Sequence, residues 1–279
     1  MALSTAALLH VLEQAIAIAR GAGELLREGF AQAVQAREQL MVNYKTEDVD
    51  PVTIFDRRSE DYIVSALRAA FPHHRVVGEE GGEYASANGH RTALTWHVDP
   101  LDGTVNFAHG FPIFAVSLGL LDEQRPIVGV VYNPIMDELF AAAEGLGATL
   151  NGKPIRVSTT PTLGRALLNT GFPYDVRTSD DNNFDLFARF HREAQAVRRV
   201  GSAALDLCWV ACGRMDGYWE FKVKPHDIAA GIVVVREAGG RVTDFVGGER
   251  MFARGEVLAT NGLIHDAMLR VIAEERVRA

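Results

Sequence analysis

Apolar residues recur at helical spacing along the N-terminal stretch. Leu8, Leu12, Ala15, Ile16, Ala19 and Leu26 fall near one face. The pattern predicts a helix from about Ser4 to Gly29, capped by Ser4 or Thr5 and stopped at Gly29. An apolar start at Met41 suggests a strand feeding a polar turn. Thr53 then caps a helix over Ile54 to Ala70, with Asp56 in its first turn, where a carboxylate suits the helix dipole. Arg75 to Glu80 reads as a short buried strand ending in two acids, and Gly81 to His90 as a loop. Phe114 to Leu121 and Ile127 to Tyr132 form a hairpin with a loop of about four or five residues. Leu139 to Ala142 and Ala148 to Leu150 continue the β pattern. Asn151-Gly152 is a tight-turn signal before Ile155 to Val157. These strands read as one antiparallel sheet.

Ser158 to Gly164 is the best linker, and beyond it strands and helices alternate. Strands are expected at Ala166 to Thr170, Val197 to Val200, Gly217 to Glu220, Arg241 to Thr243 and Val257 to Ala259. Helices are expected at Asp181 to Ala196, from Ser202 to Ala211, at Asp227 to Ala238 and from Leu263. Such alternation argues for an α/β lobe with a mixed or mostly parallel sheet. The expected organisation is an antiparallel α+β lobe, residues 1–157, followed by an α/β lobe, residues 158–279.

The chemistry concentrates in Trp96 to Phe111, WHVDPLDGTVNFAHGF. An apolar run, Ala93 to Val98, leads into Asp99 and Asp102. Pro100 between them fixes its φ, so a regular strand cannot continue. The bend lets Asp99, the Leu101 carbonyl and Asp102 point into one small volume. Gly103 permits close approach or a positive φ. Oxygen ligands of this kind suit hard divalent cations and phosphate. A helix starting near Thr104 would add free N–H groups for an anion.

Composition narrows the partners. A net charge of −8 argues against nucleic acid and against anionic membranes. No apolar run reaches the ~18 residues of a membrane span, and the N-terminus lacks a basic leader, so a cytoplasmic location is expected. Cys208 and Cys212 stand four apart in a helix and read as core thiols. His97, His109 and His265 read as structural.

DPLDGTVNF resembles the DPxDGTxNF signature of the inositol monophosphatase family of Mg²⁺-dependent, Li⁺-sensitive phosphatases. The likeness runs from Lys45 to the last helix. It implies a layered α/β (α+β) sandwich, with an antiparallel-sheet lobe first and a mixed α/β lobe second. Lys45, Asp50, Thr53 and Asp56 match the family's K-x4-D-x-V-T-x2-D pattern, whose Thr and second Asp support the attacking water. The first Glu of G-E-E is a metal ligand there, which places that role on Glu79. Arg198 to Ala204, RRVGSAA, resembles the segment bordering the substrate, so Gly201, Ser202 and Ala203 join the site. Glu220 would contact a substrate hydroxyl, and Asp227 would hold the second metal.

The expected site follows from that likeness. Catalysis falls to Glu79, Thr104, Asp56 and Lys45. The metal ligands are Glu79, Asp99, the Leu101 carbonyl, Asp102 and Asp227, for two or three Mg²⁺ ions. Substrate contacts are Leu101, Asp102, Gly103, Thr104, Gly201, Ser202, Ala203, Glu220 and Asp227. The resemblance also implies a phosphomonoester substrate and a homodimer. The chain departs from the family at His226, where a Trp is usual, which bears on substrate preference and on packing behind Asp227. Inositol 1-phosphate is the favoured substrate. Histidinol phosphate, fructose 1,6-bisphosphate and a 3′-phosphonucleotide are the alternatives, with a non-catalytic regulatory binding protein as the reading of another class.

Overall fold

The computed structural model describes residues 3–35, 43–44, 51–86 and 92–277. Helix α1 covers Thr5–Gln35, past the expected stop at Gly29. Gly29 serves packing instead, since a Cβ there would stand 2.5 Å from the Phe55 ring. Strands β1 (Asn43–Tyr44) and β2 (Pro51–Val52) pair antiparallel. Helix α2 (Ile54–Ala70) begins behind Thr53 as expected, and Asp56 closes the reciprocal cap.

Eight strands follow. They are β3 (Arg75–Gly78), β4 (Gly82–Tyr84), β5 (Leu94–Asp102), β6 (Ala115–Asp122), β7 (Arg125–Asn133), β8 (Glu138–Ala143), β9 (Gly147–Leu150) and β10 (Lys153–Pro154). A short helix, α3 (Thr104–Ala108), interrupts them. They form one sheet in the order β10-β9-β8-β7-β6-β5-β3-β4. It is antiparallel except for β3 beside β5. Three expectations change here. Part of the expected loop is strand β4, and residues 87–90 of it lie outside the described residues. The β6–β7 hairpin turns tightly through Glu123, whose φ is +56°, rather than through a longer loop. The expected strand Ile155 to Val157 is not formed: β10 ends at Pro154, the Ile155 N–H still reaches Ala148, and the Val157 N–H bonds to Ala238, off the sheet.

The second sheet has the order β12-β11-β13-β15-β14. Its strands are β11 (Leu167–Thr170), β12 (Ala196–Arg198), β13 (Gly217–Phe221), β14 (Arg241–Thr243) and β15 (Glu256–Thr260). β11 runs parallel to both β12 and β13, and the other pairs are antiparallel. Its helices are α4 (Phe184–Glu193), α5 (Ala203–Ala211), α6 (Pro225–Glu237), α7 (Met251–Arg254) and α8 (His265–Arg276). α4 is shorter than expected. α7 carries too little periodicity over its length to be read from sequence.

Five layers result. α1 and α2 cover one face of the first sheet, α5 and α6 lie between the sheets, and α4 and α8 cover the outer face of the second. This explains the sequence of α6. Ile228 to Val235 is buried all round because sheet lies on both sides, so no polar stripe is tolerated. Each of its buried Ile and Val side chains contributes about 1.5–3 kcal/mol. Close approach is built in as well, since a Cβ on Gly129 would meet the Ala230 backbone. Among the described residues no helix is long and apolar enough to cross a membrane.

Candidate active site

β5 is the axis of the site. Its ladder with β6 runs to Asp99 opposite Ser117 and resumes at Asp102 opposite Ala115. One extra residue is thus accommodated at Pro100-Leu101, a β-bulge, because proline has no N–H to give the ladder. Asp99 Oδ1 accepts the Leu101 N–H at 3.0 Å, and Ser59 Oγ donates to the Pro100 carbonyl at 3.0 Å. Gly103 sits at φ +96°, where a Cβ would be 2.9 Å from the Ile113 carbonyl. Only glycine makes that turn without strain. Asn106, which the sequence reading passed over, donates to the carbonyls of Ile113 at 2.7 Å and Val200 at 2.8 Å. It ties α3 to the loop before α5.

Thr104 Oγ1 lies 3.0 Å from Asp56 Oδ1 and 3.0 Å from the Leu101 carbonyl. The other oxygen of Asp56 accepts the Thr53 N–H at 2.7 Å and its hydroxyl at 2.6 Å. Burial, opposed by these bonds, pushes the Asp56 carboxyl up to about 7. Glu79 follows β3 in a turn, and its N–H donates to the Val98 carbonyl at 3.2 Å. Lys45 and Asp50 lie outside the described residues.

The second sheet supplies the opposite wall. Ser202 caps α5, accepting the Leu205 N–H. Its hydroxyl donates to Asp102 Oδ2 at 2.5 Å, and the N–H groups of Ala203 and Ala204 donate to the same carboxylate at 3.2 and 2.8 Å. These donors therefore orient Asp102. Glu220, on β13, accepts the Tyr218 hydroxyl at 2.6 Å and packs where a Cβ on Gly171 would have to be. Asp227, in the first turn of α6, accepts the Lys224 N–H at 2.6 Å. His226 beside it is buried, with Nε2 3.4 Å from Asp227 Oδ1. His265 sits between Thr243 and Thr260 at 2.9 Å from each hydroxyl, in a packing role.

Asp102, Gly103, Thr104, Gly201, Ser202, Ala203, Glu220 and Asp227 line one cavity of about 550 Å³. Asp99 lies behind it, only 2% exposed. The same cavity is lined by residues the sequence reading did not single out, among them Phe172, Tyr174, Arg177, Arg199, Asp206 and Lys222. Asp206 is buried and accepts the Asn169 amide at 2.8 Å. Its only sequence signal was a charge on an otherwise apolar helix.

The acids feel one another. Burial, then the charges of Glu79, Asp102 and Asp227, push the Asp99 carboxyl well above the usual carboxylate range. Burial raises Asp102 to about 7 against the pull of its Ser202 bond, and Glu220 to about 7 against its Tyr218 bond. Burial also raises Asp227, opposed by His226. Among the described residues, no three acids, histidines or cysteines are gathered as a ready-made metal cage. Both facts agree once the bonds are counted, since Asp102 gives both oxygens to α5 and Asp227 gives one to Lys224. The donor set itself, carboxylates plus the Leu101 carbonyl, is all oxygen and fits a hard divalent cation. A cation would offset the repulsion that raises these acids.

Known proteins bear on this geometry. The model of the inositol monophosphatase family matches residues 7–278. An inositol-1-monophosphatase of Synechocystis sp. is 49% identical over 224 residues, 80% of this chain and 77% of that one. The Nus factor SuhB of Pseudomonas aeruginosa is 41% identical over 264 residues, 94% of this chain and 95% of that one. The solved structure of inositol monophosphatase from Anabaena (Nostoc) sp. PCC 7120 superposes with a TM-score of 0.83 at 43% identity, covering 95% of each chain. The chain belongs to the inositol monophosphatase family, an enzyme of the phosphatase class.

Proposed function

We propose that the chain is a Mg²⁺-dependent phosphomonoesterase that releases phosphate from inositol 1-phosphate. The observation that carries the reading is the group of mutually repelling acids, Glu79, Asp99, Asp102 and Asp227, of which Asp102 and Asp227 line the 550 Å³ cavity. Glu79, Asp99 and the Leu101 carbonyl would hold one cation, and Asp99, Asp102 and Asp227 a second. Bound there, such ions supply positive charge at the phosphoryl oxygens and make water acidic enough to attack.

The chain's own groups do the rest. Thr104 takes a proton from the attacking water while passing its own to Asp56 Oδ1, 3.0 Å away. A carboxyl at about 7 is well matched to that transfer near neutrality. Ser202 and the start of α5 hold Asp102 in place. The N–H groups of Gly103 and Thr104 would hold phosphate oxygens. Glu220, an acceptor when ionised, would bind a substrate hydroxyl. Lys45 completes the proposed set.

The two halves, residues 1–157 and 158–279, would each supply one wall. The family likeness extends the proposal to Li⁺ inhibition, a homodimer and a cytoplasmic enzyme. The Pseudomonas relative's name states no hydrolytic activity, but all four acids are present in this chain, which supports turnover. Arg177 and Arg199 on the cavity wall favour a second reading, a substrate with a second phosphate.

The test is Mg²⁺-dependent phosphate release from inositol 1-phosphate, histidinol phosphate, fructose 1,6-bisphosphate and 3′-phosphoadenosine 5′-phosphate. Highest kcat/KM on inositol 1-phosphate supports the proposal. Preference for either bisphosphorylated compound moves the assignment to the second reading. No release from any of the four overturns both.

A further inference from the structure

Helix α2 turns three buried polar side chains toward the site, Asp56, Ser59 and Glu60, spaced as neighbours on one helical face. Asp56 meets Thr104, and Ser59 meets the Pro100 carbonyl. Glu60 has no evident duty in the sequence. It is only 2% exposed, and an acid that deep is almost never without partners.

Its partners are peptide groups. Oε2 accepts the Glu80 N–H at 2.8 Å, Oε1 accepts the Gly81 N–H at 2.6 Å, and the Tyr84 hydroxyl reaches Oε1 at 3.5 Å. The peptide just before, Glu79 N–H, is tied to Val98 at 3.2 Å. Three consecutive peptides are thus anchored, one to the strand that carries Asp99 and two to Glu60. The turn is shaped around this carboxylate, because a Cβ on Gly78 would come within 2.5 Å of it.

We propose that Glu60 is a positioning residue that fixes the Glu79 turn against β5 and so sets the affinity of the site for its divalent cation. This rests on the reading of Glu79 as a ligand given above. Glu60 bonds the peptides next to Glu79 and, unlike Asp102, does not line the cavity, so its role runs through Glu79. Charge-assisted bonds to N–H groups are the strong kind, and partners behind a metal ligand commonly govern affinity. An amide cannot replace this carboxylate. A glutamine would turn its NH₂ toward one of the two peptide donors and leave that N–H without an acceptor.

The test uses the full chain carrying Glu60→Gln, with Mg²⁺ alone as the probe. Two quantities are read: the Mg²⁺ concentration that raises the melting temperature, and the Mg²⁺ concentration that half-activates phosphate release. Both should rise by roughly tenfold or more. The substrate KM at saturating Mg²⁺ should stay within about twofold of wild type. Glu60→Asp keeps the charge but draws it back by one methylene, and should shift both quantities the same way. It serves if the glutamine variant does not fold. A variant that melts lower yet keeps the wild-type Mg²⁺ dependence in both readouts overturns the proposal and leaves Glu60 a structural residue. Glu79→Gln run in parallel separates the two levels. If it too leaves Mg²⁺ dependence unchanged, the ligand reading of Glu79 falls first.

Discussion

On the wall built from α2, β5 and α3, the buried polar side chains hold the backbone in place. Asp56, Ser59, Glu60, Asp99 and Asn106 all bond to backbone or side-chain groups that shape the site. The wall built from β13 and residues 171–177 differs. Tyr174 is 56% exposed, and Arg177 and Arg199 stand exposed on the cavity. One wall is fixed for chemistry, and the other is open for recognition. The fixed wall, together with Asp227 across from it, should therefore govern kcat and metal, and the open wall KM and substrate choice.

The largest effect should follow from Asp227→Asn, which removes one of the repelling charges and a proposed ligand. Steady-state assays at saturating Mg²⁺ should show kcat/KM lower by about 10²-fold or more. Retention of wild-type turnover would remove Asp227 from the site. Thr104→Ala comes next. It deletes the proposed proton path but no metal ligand, so kcat should fall roughly 10- to 10²-fold with KM nearly unchanged. An effect on KM alone would contradict the division between walls. Glu220→Gln tests the open wall. Its KM for inositol 1-phosphate should rise several-fold, by roughly 1 kcal/mol of binding, while kcat changes little.

The smallest effect is on stability against pH. Asp56, Asp102 and Glu220 sit at about 7 in the folded chain, against usual values of 3.8 to 4.5. Between those limits the folded state binds more protons than the unfolded one. Stability without metal is thus fully present below about pH 4 for these groups and is lost as pH rises through about 7. The melting temperature in a chelator should fall from pH 5 to pH 8, and Mg²⁺ should restore it at pH 8. A metal-free melting temperature that climbs over that range would contradict the raised carboxyls.

The fixed wall was also the more legible one. Asp99, Asp102, Gly103 and Thr104 are contiguous, and Pro100 and Gly103 announce a bend. Thr53 and Asp56 announce their helix by cap chemistry alone. Glu60 was not legible, because its partners lie 20 residues on and are backbone groups that carry no side-chain signal. Asn106 was hidden in the same way, serving a carbonyl 94 residues away. Arg177, Arg199 and Asp206 reach the cavity only through the crossing of β11, α5 and β13, which a one-dimensional pattern cannot place. The second sheet's alternation was readable, but its antiparallel β14–β15 edge was not, since short apolar runs do not encode direction.

The proposed function requires the repelling acids around Asp99 to bind the cation that drives phosphate release. The most direct measurement is release from inositol 1-phosphate as Mg²⁺ is titrated, with wild type and Asp99→Asn side by side. Wild-type release should rise with Mg²⁺ and stop on chelation, and the variant should be slower by about 10²-fold or more at every Mg²⁺ concentration. Wild-type turnover without divalent cation, or a variant as fast as wild type, would contradict it.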